Sequence, residues 1–211
     1  SMAAGGQGGA FEAMMNLPLV TDRLGVRMVA YHTREPGWID SGTRRDANSA
    51  RISGGRLSVR ARLDEQWTID LGGWSQFLNV DDSQYVYAPG TRKRADMIAE
   101  PHDNDFMMAS AVVRGRIGDA DFLSSTSWVG HEVTSRLDAS ASALAFGRTG
   151  ALIYDDSRQN KLLDQELRLS RTNPQGLSWL VGLSFIQSQN QSTGLFTTAP
   201  SQAALPGLES R

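Results

Sequence analysis

The chain has 211 residues, with 21 Lys and Arg against 23 Asp and Glu and no cysteine. A near-neutral chain without a basic block is not built to bind nucleic acid, and the lack of cysteine excludes a disulfide framework, a thiolate zinc site and a Cys nucleophile. No apolar run approaches the roughly 18 residues of a membrane-spanning helix, but that leaves alternating membrane strands open.

The fold class expected is all-β. Glycine is frequent, and no long stretch combines apolar residues at helical spacing with proper caps. Ser1-Met2 reads as an expression scar or an internal start, and residues 1–8 as a flexible Gly/Ala-rich segment. Residues 9–16 alternate weakly and form a first strand. Residues 17–22 read as a connector, because Pro18 cannot serve a central strand. In the strand that follows, Leu24, Val26, Met28 and Ala30 oppose Arg23, Gly25, Arg27, Val29 and Tyr31. A polar loop at 35–53 carries Pro36-Gly37 and Asp40-Ser41-Gly42 turn chemistry. Leu57, Val59, Ala61 and Leu63 then oppose Arg56, Ser58, Arg60 and Arg62.

After a short turn at 64–66, Trp67, Ile69, Leu71 and Phe77 oppose Thr68, Asp70, Gly72 and Gln76. A charged loop fills 79–103. Ala109, Ala111, Val113, Gly115 and Ile117 next oppose Met108, Ser110, Val112, Arg114 and Arg116. A turn at 118–121 leads to a polar strand at 122–137 whose facing is ambiguous. Residues 138–160 read as a third long loop with a short helix at most.

The clearest hairpin lies at 161–187, around Asn173-Pro174-Gln175-Gly176. Leu163, Gln165, Leu167 and Leu169 share one parity with Leu177, Trp179, Val181, Leu183 and Phe185 across the turn. Asp164, Glu166 and Arg168 take the other, so the hairpin has one apolar and one polar face. The Ser/Gln/Pro-rich remainder from 188 reads as loop.

Eight strands are thus expected, joined alternately by short turns (17–22, 64–66, 118–121, 173–176) and long loops (35–53, 79–103, 138–160). One-sided long loops on strands of about ten or more residues are the pattern of an antiparallel, up-and-down transmembrane β-barrel, with short periplasmic turns and long extracellular loops. The arginines at one parity would line its lumen. A soluble secreted β-sandwich, acting as a binding or structural module, would instead place them on its wet face and bury Leu57, Val59, Ala61 and Leu63 against a second sheet. A complete eight-stranded barrel would require the first and last strands to pair.

Residues 14–40 (MMNLPLVTDRLGVRMVAYHTREPGWID), 46–71 (DANSARISGGRLSVRARLDEQWTIDL) and the LLDQELRLSR and LSWLVGLSF strands of 162–185 occur in one order and spacing. In that order they resemble the barrel domain of TonB-dependent outer-membrane receptors. The resemblance implies a 9–190 segment of a larger barrel, with 191–211 as a loop or tail. It also implies a bacterial outer-membrane location and TonB-energised uptake of a scarce nutrient, such as a ferric siderophore. The partners implied are that small-molecule ligand, outer-membrane lipid, and TonB acting through an N-terminal region that this sequence does not contain. A plug domain and a closing terminal aromatic are also missing from it, so an internal fragment is expected, insoluble without detergent. On this reading the turn at 173–176 faces the periplasm. Leu167, Leu169, Trp179, Val181 and Leu183 then face lipid, while Asp164, Glu166 and Arg168 face the lumen.

No enzyme chemistry, cofactor or metal site is expected. His32, His102 and His131 are scattered, without ligand spacing. Asp81, Asp82, Asp96, Glu100, Asp103 and Asp105 lack the ordered pattern of a calcium loop and read as solvated. No G-x-S-x-G elbow is present. The glycines at 5–9 have neither a preceding strand nor a following helix, so they read as a join rather than a phosphate cradle. Trp67, Trp74, Trp128, Trp179 and Phe185 fit interfacial girdles or cross-strand packing. Trp38, Tyr85 and Tyr87, in or near the long loops, could stack on a ligand or pack within the loops.

Overall fold

The structure is a computed structural model that describes residues 6–95 and 98–198. Ten strands and one short helix follow in order: β1 Gly9–Val20, β2 Leu24–Glu35, β3 Asp40–Ser41, β4 Ala50–Arg62, β5 Thr68–Val80, β6 Lys93–Arg94, β7 His102–Ile117, β8 Ala120–Asp138, a 3-10 helix Ser140–Phe146, β9 Leu152–Arg171 and β10 Trp179–Thr198. Eight of the strands form one sheet in the order β1-β2-β4-β5-β7-β8-β9-β10, and β3 pairs with β6 in a small parallel sheet. Every neighbouring pair in the large sheet is antiparallel. The meander is open: β1 and β10 are its edges and do not pair with each other.

Because cross-strand partners share a face, the register sorts the side chains without ambiguity. One row runs Leu17, Val26, Val59, Leu71, Ala111, Thr126, Gln165, Phe185. The parallel row one step nearer the long loops runs Met15, Met28, Leu57, Gly73, Ala109, Trp128, Leu163. These rows belong to an apolar face, which also holds Trp67 and Phe122, with rings 5.8 Å apart, and Trp179 near the short-turn ends. The opposite face holds Arg56, Arg60, Asp70, Arg114, Glu166 and Arg168. Strand 122–137 is therefore no longer ambiguous: Phe122 and Trp128 lie on the apolar face.

Among the described residues the apolar face has no second layer over it. Leu57 is 46% exposed, Leu63 57%, Leu71 47% and Leu183 73%. Complete burial of such a side chain is worth about 1.5–3 kcal/mol, so a sandwich would not leave this face bare. The buried residues lie almost entirely at the long-loop end: Ile39, Ser41, Asn48, Ala50, Val80, Asp82, Arg94, Glu100, Ala143 and Leu152.

Four expectations change. Pro18 lies inside β1, paired with Gly25, with a register shift between Pro18 and Val20. An edge strand tolerates its missing N–H. β9 begins at Leu152, within the expected third loop. β10 continues through 188–198, read above as loop and tail, and pairs in unbroken register with β9 up to Thr198 opposite Leu152. Trp74 and Trp128 sit mid-strand rather than near strand ends. Residues 1–5, Asp96 and 199–211 lie outside the described residues.

Candidate functional site

The long loops are not solvated tethers. The 36–49 and 81–101 segments fold together as a cap, joined by backbone bonds from Asp40 N to Arg92 O (2.7 Å) and from Gly42 N to Arg94 O (3.0 Å). Asn48 clamps the first loop: its Oδ1 accepts from the N–H groups of both Trp38 and Ile39, each at 2.7 Å. Its Nδ2 donates to Gln84 Oε1 (2.9 Å), and Gln84 Nε2 donates back to Asn48 O (2.7 Å). Two buried donors of a loop backbone are thereby satisfied by one side chain.

At the centre lies an ionic cluster. Arg94, with a side chain 0% exposed, bonds through Nη2 to Glu100 Oε2 at 2.5 Å, and its Nη1 lies 3.9 Å from Asp82 Oδ1. Arg44 Nη1 reaches Asp82 Oδ2 at 2.8 Å. The Arg94 guanidinium also stands 4.4 Å from the ring centroid of Tyr85 and 5.2 Å from that of Tyr87. Glu100 further accepts from Ser83 Oγ (2.5 Å) and from the N–H of Asp138 (2.8 Å). Since Asp138 Oδ2 accepts from Ile98 N at 3.1 Å, this carboxylate pair ties the third loop to the other two. Buried charges persist when they are paired, and here Glu100 faces Arg94 while Asp82 faces Arg44.

Of the loop carboxylates read as solvated, Asp82 and Glu100 are thus buried structural hubs, which corrects that reading. Asp81 remains exposed, held by Arg51 and Ser49. Asp103 and Asp105 belong to β7, not to a loop. The signal for the buried pair was present only as Arg and acid in a Tyr-containing loop; nothing local distinguished it from a solvated charge run. Trp38, Tyr85 and Tyr87 all belong to the cap and each keeps an exposed surface, but only the two tyrosines are in ring contact. The Tyr85 and Tyr87 rings meet edge-on at 5.8 Å.

The three histidines stay apart: His32 bonds with Ser53, His102 with Ser135, and His131 with Asn104. Among the described residues no group of three His, Cys, Asp or Glu is placed to hold a metal. The 3-10 helix packs Phe146 on Phe196, which also meets Tyr154, at 5.0 and 4.7 Å between centroids.

Below the cap, the charged face presents a bridged triad. Asp70 Oδ1 accepts from Arg60 Nε (2.6 Å) and Asp70 Oδ2 from Arg114 Nη1 (2.5 Å). Arg56 lies over the Trp74 ring at 5.0 Å. Tyr31 reaches across Gly54 to bond Gln76 at 2.8 Å. Arginine is thus concentrated on one face toward the short-turn ends, away from the cap at the long-loop ends. That arrangement offers cationic and hydrogen-bonding groups suited to a polar or anionic ligand.

No protein-family model and no curated protein matches the sequence. Among solved structures, the chain is similar in fold to the ferric yersiniabactin uptake receptor FyuA from Yersinia pestis, with a TM-score of 0.69 and 14% identity. The match covers 90% of this chain and 31% of the receptor, so the chain spans about a third of that protein. The fold is that of an open, eight-stranded antiparallel segment of a β-barrel.

Proposed function

We propose that this chain is part of the barrel wall of a TonB-dependent receptor in a bacterial outer membrane, serving uptake of a scarce nutrient such as a ferric siderophore. The observation that carries the proposal is the uncovered apolar face of a single meander whose fold follows an uptake receptor over 90% of the chain. On this reading the apolar face meets lipid, because an outer-membrane barrel carries an apolar band outside and polar residues within. From Leu163 to Leu169 and from Trp179 to Phe185 the band extends roughly 20 Å along the strands. Beyond it β9 and β10 are polar on both faces over 155–161 and 187–194, roughly another 20 Å, and so stand clear of the membrane there.

The cap then captures the ligand, with Tyr85 and Tyr87 held by Arg94 and Glu100, and Trp38 held through its backbone by Asn48 and Arg92, offering stacking surfaces. The arginine wall lines the passage beneath. TonB would act through a region outside this sequence, and the two sheet edges would pair with further strands of the same barrel. Binding and passage are the whole of the role assigned; no residue here is given a catalytic part.

The test is export and fractionation. With a secretion leader in a Gram-negative host, the full chain should partition with the outer membrane and stay monodisperse only in detergent. A detergent-free monomer that unfolds cooperatively in water would overturn the reading, because no core under the apolar face could account for it.

A further inference from the structure

The apolar face is not uniform. On its β1–β2–β4–β5–β7 sector lies an open groove of about 850 Å³, floored by Gly55, Gly73 and Ala109 and walled by Met28, Leu57 and Trp128. Small residues cut the floor: a Cβ on Gly73 would meet nothing nearer than Met108 O at 4.0 Å. Toward the long loops the same face turns basic over β2 and β4. His32 and Arg34 follow Ala30 at successive same-face positions, and Arg51 is the direct cross-strand partner of Arg34. Like charges directly opposite one another in a sheet are destabilising unless an anion lies between them. Arg51 is shared with Asp81 at 2.9 Å, whereas Arg34 has no acidic partner among the described residues. The adjoining sector is acidic, with Asp103, Asp105 and Glu132 on this face, so the basic patch is confined to the end of the groove.

We propose that this groove and patch bind a phosphorylated acyl lipid, the chain lying over Gly55 and Gly73 and the phosphate on Arg34 and Arg51. Gly55 and Arg51 are four residues apart on β4, roughly 13 Å, a span that a lipid covers between its acyl chain and its headgroup. Arginine favours phosphate because its planar fork can bond two oxygens at once. The inference rests on the reading of this face as lipid-facing and adds a specific lipid to it.

The test uses the full chain in zwitterionic micelles doped with brominated phosphatidic acid or brominated phosphatidylcholine, following tryptophan quenching. Phosphatidic acid should quench at lower concentration, and Trp128→Phe should remove that difference. Arg34→Glu, which reverses the charge, should weaken the preference by about tenfold, on the order of one charge-assisted contact, and Gly73→Leu, which fills the floor, should weaken quenching by both lipids alike. Inorganic phosphate should not compete. Equal quenching by the two lipids, or full competition by inorganic phosphate, overturns the lipid site and leaves the membrane reading intact. Absence of quenching by either lipid overturns both.

Discussion

Glu100→Ala is the sharpest test of how the cap is held. The substitution removes the carboxylate that Arg94 Nη2 approaches at 2.5 Å and leaves a guanidinium buried at 0% side-chain exposure. Breaking a buried pair from one side costs about 3–5 kcal/mol, and because Asp82 still stands 3.9 Å from Arg94 Nη1 the lower end of that range applies. The cost should fall on the cap and not on the sheet, whose ladders do not pass through Glu100. The reporters are the cap amides of Asp40 and Gly42, which bond Arg92 O and Arg94 O across the two loops, and of Ala47, which bonds Ile39 O within the first. Hydrogen exchange measured in detergent should accelerate at these amides by roughly 100-fold, the equivalent of about 3 kcal/mol in local opening. Sheet amides such as those of β8 and β9 should be unchanged. Glu100→Leu combined with Arg94→Leu should recover much of the protection, since replacing both partners with apolar groups removes the stranded charge. Unchanged exchange at the three reporters would refute the hub, and equal acceleration throughout the sheet would refute its confinement to the cap.

Asn48→Ala should loosen the first loop by about 1–3 kcal/mol for each buried donor left unpaired, seen as faster proteolysis within 36–49 while the sheet persists. Gly54→Val should be costly by about 1–3 kcal/mol through overpacking. A Cβ there would lie 2.3 Å from Tyr31 Oη and 2.6 Å from Ser75 O, so the Tyr31–Gln76 bond should break, and urea unfolding reads the loss. Val59→Arg, in the middle of the apolar face, should destabilise the bilayer-embedded chain by about 2–4 kcal/mol, while Ser58→Arg on the charged face should be close to neutral. Equal effects of the two substitutions would place lipid on neither face.

Where an apolar face exists for alternation to report on, the sequence is a sufficient guide. The opposition of Leu57, Val59 and Ala61 to Arg56, Ser58 and Arg60 specifies a strand and its two faces, and the register places each set as expected. Parity fails where both faces are polar. Ser188, Gln189, Asn190 and Gln191 show no period, yet they form strand because β9 offers an unbroken ladder beside them. Pro18 argued against a strand only because an edge position cannot be read locally.

What the sequence by itself determined is therefore the all-β class, the alternation of short and long connections, and the sorting of side chains between two faces. Each follows from the two-residue period of a strand, a property of neighbours along the chain. The tertiary structure decided which distant residues meet. Asp82, Arg94 and Glu100 of one loop form a buried cluster that Arg44 of another loop and Asp138 at the end of β8 join, and Arg34 faces Arg51 only through the β2–β4 register. Charge in a loop looks the same in sequence whether water or an opposite charge surrounds it; burial and pairing depend on how the loops close over one another.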